Sequence, residues 1–232
     1  MSIVVWNGSA WVDVKGVFSW TGSAWARRRA KRWNGSAWVD ANVETVQYGA
    51  TASRTYWGNS PSIEIEKQYE NHYYDLYDDH WYTDTALRQG RYALNVVDEV
   101  YTGNAFGTFC FGSGIGKPTE LSTKTLISAR LFLKRYNESG AESPLSVKIF
   151  TSTLTSVPSS GASSPSGNVT GTEQVLGTLD RNEAKWFTLP NDMADNVIDG
   201  KCLALYYGSS NYQKLYGVEN ASYKPVIEFT YY

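Results

Sequence analysis

Val4 to Val14 reads VVWNGSAWVDV, Phe18 to Arg28 reads FSWTGSAWARR, and Arg32 to Ala41 reads RWNGSAWVDA. One unit is thus written three times at a spacing of 13 to 14 residues, and six of the nine tryptophans fall inside it. Trp6, Trp20 and Trp33 open the units; Trp11, Trp25 and Trp38 close them. The spacing is too short for a helical solenoid repeat. It fits a β-hairpin, in which two tryptophans bracket an Asn/Thr-Gly-Ser-Ala loop. A four-residue loop sets the flanking indoles opposite each other, where an aromatic pair contributes roughly 0.2–1 kcal/mol beyond an alanine pair. Gly8, Gly22 and Gly35 supply the positive φ such loops need.

A lone two-stranded hairpin is marginal in water, so three in succession must pack on something. Two arrangements follow: one six-stranded meander with the indoles as its core, or hairpins that keep some indoles exposed as sugar-stacking or partner-docking platforms. A segment of this length with so few aliphatic residues has little core of its own. Self-association is therefore expected, with Trp6, Trp11, Trp20, Trp25, Trp33 and Trp38 as the attachment and oligomerisation residues. Written as WNGSAWV, the units resemble short repeats of tail and fibre proteins of bacterial viruses, a resemblance that covers residues 4–41.

The 232 residues suit this repeat region, taken as 1–43, followed by one larger unit over 49–232. Ser, Thr, Asn and Gly are plentiful, and aromatics make up 15% of the chain with 17 tyrosines. Long helical patterns are lacking, so the expectation is all-β. Nothing approaches the ~18 consecutive apolar residues of a membrane span. The start, MSIVVWNG, has no basic stretch followed by an apolar one, so no signal peptide is expected and the chain should be made and assembled in a cytoplasm. For Cys110 and Cys202 that favours reduced, buried thiols over a disulfide.

Charge is unevenly spread. Through Ala41, Lys15, Arg27, Arg28, Arg29, Lys31 and Arg32 stand against Asp13 and Asp40, a balance of +4; the remainder carries 15 basic and 21 acidic residues, or −6. The Arg27–Arg32 run is expected to be a solvated linker or a contact to an acidic neighbour rather than a nucleic-acid site, since no nucleic-acid motif accompanies it.

Asn42 to Ala52 reads as a lead-in. Period-two alternation then marks strands: Ser62–Glu66, Arg91–Val97, Ala105–Phe111, Leu126–Arg135, Leu145–Thr151, Ala184–Leu189, Lys201–Tyr207, Lys214–Val218 and Pro225–Tyr231. This number of short strands fits a β-sandwich of jelly-roll type. Thr155 to Thr172, TSVPSSGASSPSGNVTGT, holds almost no apolar residue and reads as a long exposed loop.

From Arg54 onward the chain resembles the DNRLRE-type β-sandwich modules, relatives of carbohydrate-binding modules on wall-associated and virion proteins. The matching stretches are Tyr56–Ser60 with the SIEIE strand after it, SARLFLKRYNESG, VKIF, the tryptophan strand Lys185–Leu189, and Tyr216–Ala221 before KPVIEFTY. The resemblance implies a binding module, and it carries no site over residue by residue.

Chemistry is sparse. His72 and His80 lie beside Glu70, Asp75, Asp78 and Asp79, but their separation matches no ligand spacing, so no metal and no cofactor are expected. The carboxylates cluster on one loop or sit singly on strand faces such as Glu228, and no nucleophile elbow or P-loop occurs. No enzyme is expected. Tyr73, Tyr74, Tyr77, Trp81 and Tyr82 crowd an otherwise polar stretch and are the candidate ligand-binding residues, suited to saccharide stacking or to a protein interface, with plain core packing of some rings as the alternative. The expectation is a virion-located bacteriophage protein, a homo-oligomer with a trimer favoured: a tail-fibre or receptor-binding component contacting other virion proteins and host carbohydrate. The alternatives are a capsid or collar head-fibre or decoration protein, and a cell-wall-binding module.

Overall fold

The computed structural model describes residues 4–13, 17–28, 31–33, 35–40, 43–59, 80–81, 85–96, 99–112, 115, 125–137, 144–159, 169–205 and 213–231. Strands dominate. The repeats give β1 (Val4–Trp6), β2 (Trp11–Asp13), β3 (Val17–Trp20), β4 (Trp25–Arg28), β5 (Lys31–Trp33) and β6 (Trp38–Asp40). They pair as β1–β2, β3–β4 and β5–β6, each a separate antiparallel two-stranded sheet. The six-stranded meander is therefore not what forms among the described residues. Strands of three or four residues carry too little apolar surface to hold neighbouring ribbons edge to edge.

The rest builds two facing antiparallel sheets. The smaller has the order β15-β12-β18-β7, from β7 (Glu44–Gly49), β12 (Leu126–Lys134), β15 (Ala184–Leu189) and β18 (Val226–Tyr231). The larger has eight strands: β8 (Ala52–Asn59), β9 (His80–Trp81), β10 (Leu87–Val96), β11 (Glu99–Cys110), β13 (Leu145–Ser152), β14 (Val169–Leu179), β16 (Leu203–Leu205) and β17 (Gln213–Leu215). Alternation decides which side faces in. Ala129, Leu131 and Leu133 of β12 and Ile227, Phe229 and Tyr231 of β18 share one buried cluster with Phe109, Val147, Ile149, Leu203 and Leu205 of the larger sheet. The β-sandwich-like, all-β expectation holds, and the strand expected at Ser62–Glu66 lies outside the described residues.

Three elements differ from the sequence reading. Glu44–Gly49 is no lead-in: it is an edge strand paired along its length with β18, and its Tyr48 ring packs 6.1 Å from Phe229. The loop expected through Thr172 ends earlier, because Val169–Leu179 is a strand paired with β13. Two register shifts interrupt that pairing, and Gly171 and Gly177 take φ of 80° and 139°. Such bulges remove the alternation a strand is recognised by. The third is α1 (Asn191–Ile198), which follows Pro190. Its apolar side, Met193, Ala194, Val197 and Ile198, is buried in the core. It ends in a Schellman turn: Lys201 N–H donates to Asn196 O at 3.1 Å and Gly200 N–H to Val197 O at 2.9 Å, with Gly200 at φ 82°.

The cysteines are also corrected. Cys110 and Cys202 form a disulfide, with Cα atoms 4.3 Å apart. The register explains it: Thr108 faces Ala204 and Phe109 faces Leu203, so the next step sets Cys110 against Cys202. Free thiols were expected from compartment alone, and the cross-strand geometry was invisible before the pairing of β11 with β16 was known. The same interior holds Arg135, whose guanidinium donates to Leu179 O at 2.9 Å and to Gln213 Oε1.

Candidate functional site

The hairpins carry out what their spacing dictates. Trp6 faces Trp11, Trp20 faces Trp25 and Trp33 faces Trp38. Gly8, Gly22 and Gly35 have φ of 101°, 97° and 106°, and a side chain at any of them would meet open space, so conformation alone selects glycine. In the first loop Asn7 Oδ1 accepts from Ser9 N at 3.0 Å and Ala10 N at 2.9 Å, and Asn7 N donates to Ala10 O at 3.0 Å. Thr21 does the same work in the second loop: its Oγ1 accepts from Ala24 N at 3.1 Å and donates to Ala24 O at 2.9 Å. This is the local side-chain-to-backbone bonding that makes Asn and Thr turn formers.

The indoles then meet at an angle. Ring centroids are 5.7 Å apart at 60° in the second unit and 5.8 Å apart at 62° in the third, within the range where tilted aromatic pairs attract. They stay in solvent, with Trp20 55%, Trp25 69%, Trp33 54% and Trp38 64% exposed. The reading in which these rings form the core of a meander is overturned for these four. For Trp6 and Trp11 the structure describes the backbone pairing only.

Of the residues expected to bind a ligand, Tyr73, Tyr74, Tyr77 and Tyr82 lie outside the described residues, as do His72, Glu70, Asp75, Asp78 and Asp79. Trp81 and His80 form β9, set against Tyr56 and Trp57 of β8. Among the described residues no three His, Cys, Asp or Glu side chains gather in a way that would hold a metal.

Two polar-aromatic surfaces escaped the sequence reading. One is the outer face of the smaller sheet. Arg130 stands opposite Glu228, which stands opposite Gln47. Arg130 Nε lies 2.5 Å from Glu228 Oε1, its Nη2 donates to Oε2 at 3.1 Å, and Gln47 Nε2 donates to Oε2 at 2.7 Å. The guanidinium sits over the Trp186 ring, 4.5 Å from its centroid, and Phe132 packs 5.4 Å from the same ring. The Arg130 hydrogen bond holds the Glu228 carboxyl below its ordinary pKa despite burial, with Gln47 assisting. Both of its oxygens accept from these neighbours. The signal was present in the outward positions of each strand, but only the register shows that they form one row.

The other surface joins the ends of β12 and β17 to the turn before β18. Tyr136 stacks on Tyr216 at 3.8 Å and 15°, and Tyr216 lies 5.2 Å from Tyr223. Lys214 Nζ stands 4.5 Å over the Tyr136 ring, and Lys134 Nζ 5.2 Å over Tyr223. Glu219 accepts from Tyr136 Oη at 2.9 Å and from Gly217 N at 3.0 Å. The Tyr216–Ala221 run is thus a folded motif: Asn220 Oδ1 accepts from Ser222 N at 3.0 Å and Tyr223 N at 3.1 Å to close the turn. Both surfaces offer rings, cations and hydrogen-bond acceptors.

No known protein family, characterised protein or solved structure matches this chain.

Proposed function

We propose that this chain is a non-enzymatic structural protein of a bacteriophage particle. In this reading it is a tail-fibre or receptor-binding component, located on the virion and assembled in the host cytoplasm. Its N-terminal ribbons attach it to virion proteins and to copies of itself, and its sandwich meets host surface carbohydrate during adsorption. The observation that carries the reading is the exposure of four indoles, each by more than half, on two separate ribbons, the second and the third. Large aromatic surface repeated at a fixed spacing is costly to leave in water unless something covers it.

Three further features support it. The chain crosses repeatedly between the two sheets, with β12 in the smaller, β13 and β14 in the larger, β15 in the smaller, β16 and β17 in the larger and β18 in the smaller. That alternation is what a jelly-roll-like sandwich of the carbohydrate-binding kind has. The buried Cys110–Cys202 disulfide suits a domain that works outside the cell, as on a virion surface. The Glu228 and Glu219 carboxylates are both occupied by neighbouring donors, which favours recognition over hydrolysis.

The test is binding of the purified, full-length chain to a glycan array and to host cells, together with its detection in purified particles. Glycan-dependent binding that competes with adsorption is the expected result. A protein present in particles at capsomer stoichiometry and without glycan binding would point to a head-fibre or decoration role instead. Absence from particles would overturn the reading.

A further inference from the structure

We infer that the indole faces of the ribbons are docking sites for the ribbons of a second copy of this chain, unit 1 (Val4–Val14) of one copy against unit 2 (Phe18–Arg28) of the next. The inference rests on the attachment reading above and names its partner and register.

Area is the first argument. At the exposures of Trp20 and Trp25, two side chains of up to ~250 Å² each leave about 300 Å² of ring surface of unit 2 in solvent. Phe18, 55% exposed, adds roughly 100 Å². Phe18 and Trp20 are two residues apart on β3 and so share a face. Together this is about 400 Å² on one ribbon face, half of the ~800 Å² that each partner brings to a standard protein interface. It is the size of the largest apolar patch of an ordinary monomer, about 300–600 Å², a patch that is often functional.

The second argument selects the partner. Each ribbon is its own two-stranded sheet, a form that is marginal until its face is covered. Three near-identical units at a 13 to 14 residue spacing are best covered by a surface with the same spacing, and another copy supplies one.

Charge then sets the register. Unit 1 carries only Asp13, unit 2 carries Arg27 and Arg28, and the third ribbon (Lys31–Asp40) carries Lys31, Arg32 and Asp40, giving −1, +2 and +1. Unit 1 is repelled by nothing in unit 2 of a neighbour, whereas unit 2 against unit 2 sets four arginines together. Electrostatic complementarity of this kind fixes register and excludes wrong pairings. A contact between unlike surfaces closes into a ring when the rotation allows. A trimer closes as unit 1 of each copy meets unit 2 of the next.

The test uses the full chain in sedimentation equilibrium at several concentrations. The wild-type protein is expected to be oligomeric. Asp13→Arg, and separately Arg27→Glu with Arg28→Glu, should each weaken association by ~10-fold or more, and the triple variant carrying all three changes should recover it. Trp20→Ser with Trp25→Ser should abolish it while the thermal transition of the sandwich stays in place, which separates lost docking from misfolding. A wild-type chain that stays monomeric overturns the inference; if that monomer still binds particles or glycans, the proposed function survives with a different partner. Oligomers indifferent to the charge changes and to the indoles overturn it equally. Oligomers that behave as expected but bind no glycan leave the docking intact and count against receptor binding.

Discussion

Removing the disulfide is the sharpest probe of the sandwich. Cys110 and Cys202 are 92 residues apart, and their bond joins the end of β11 to the start of β16 in the middle of the larger sheet. In the chain-entropy account, closing a loop of that length restricts the unfolded ensemble by about 4.6 kcal/mol at 25 °C. Cys110→Ala with Cys202→Ala keeps small apolar side chains at two buried sites, so little packing is lost beside the crosslink. For a chain of this size each kcal/mol moves the melting temperature by about 2–4 °C, so the variant should melt roughly 10–18 °C below the wild type. Differential scanning calorimetry under non-oxidising and ordinary conditions measures this directly. Thiol labelling supplies the control: the protein should take up no label even in denaturant until a reductant is added, because both sulfurs are in the disulfide. A double variant that melts within about 2–4 °C of the wild type, or prompt labelling of the untreated protein, would refute the pairing and the role given to it.

Glu228→Gln tests the outer row of the smaller sheet. The folded carboxyl titrates below its ordinary value because Arg130 and Gln47 bond it. Its stabilisation is therefore fully present above the unfolded glutamate pKa of about 4.3 and is lost as pH falls through the lower, folded value. Arg130 is half exposed, which limits the effect to about 0.5–1 kcal/mol. Urea melts from pH 7 down to 3 should show the variant less stable at neutral pH and the difference closing in acid. Gly217→Ala tests the C-terminal motif: an added Cβ collides with the Thr85 carbonyl and the Ser53 hydroxyl. That hydroxyl is itself held by Thr85 O and Val218 N, so the site cannot give way and about 1–3 kcal/mol of stability should be lost in a denaturant titration.

Legibility in the sequence followed how local the cause was. The hairpins were readable because each is fixed within a dozen residues by a glycine at positive φ and two indoles flanking it, and in the first two by an Asn or Thr that bonds its own loop. The strands at Leu126, Leu145 and Val226 were readable because one face is core and the other is not, which leaves period-two alternation. β14 lies at a sheet edge, exposed or half-buried along nearly all its length and broken by bulges at its glycines, so alternation never develops. α1 is short, and its start at Pro190 and stop at Gly200 carry the information that its composition does not. The Arg130–Glu228–Gln47 row and the Tyr136–Tyr216 stack were unreadable for a different reason. Their members are distant in sequence and meet only through strand order and register.

Strand edges decide which part of the molecule associates. Along one flank of the sandwich the edges of the two sheets are laced together: Lys185 Nζ donates to Thr178 O at 3.2 Å, and a Cβ on Gly177 would lie 3.3 Å from the Phe187 ring. β14 is bulged twice there, and Lys148 pairs with Glu173 at 2.9 Å across it. Bulges and charges of this sort keep an edge from recruiting another chain. The ribbons have unbroken register, open edges and exposed indoles. Folding and association should therefore separate by mutation. Gly177→Ala forces a side chain into φ 139° against Phe187, which should lower sandwich stability by about 1–3 kcal/mol and leave the oligomer size unchanged. Trp25→Ser should do the reverse. Calorimetry and light scattering on the two full-length variants decide it, and an oligomer that dissociates with Gly177→Ala while ignoring Trp25→Ser would move the interface from the ribbons to the sandwich edge.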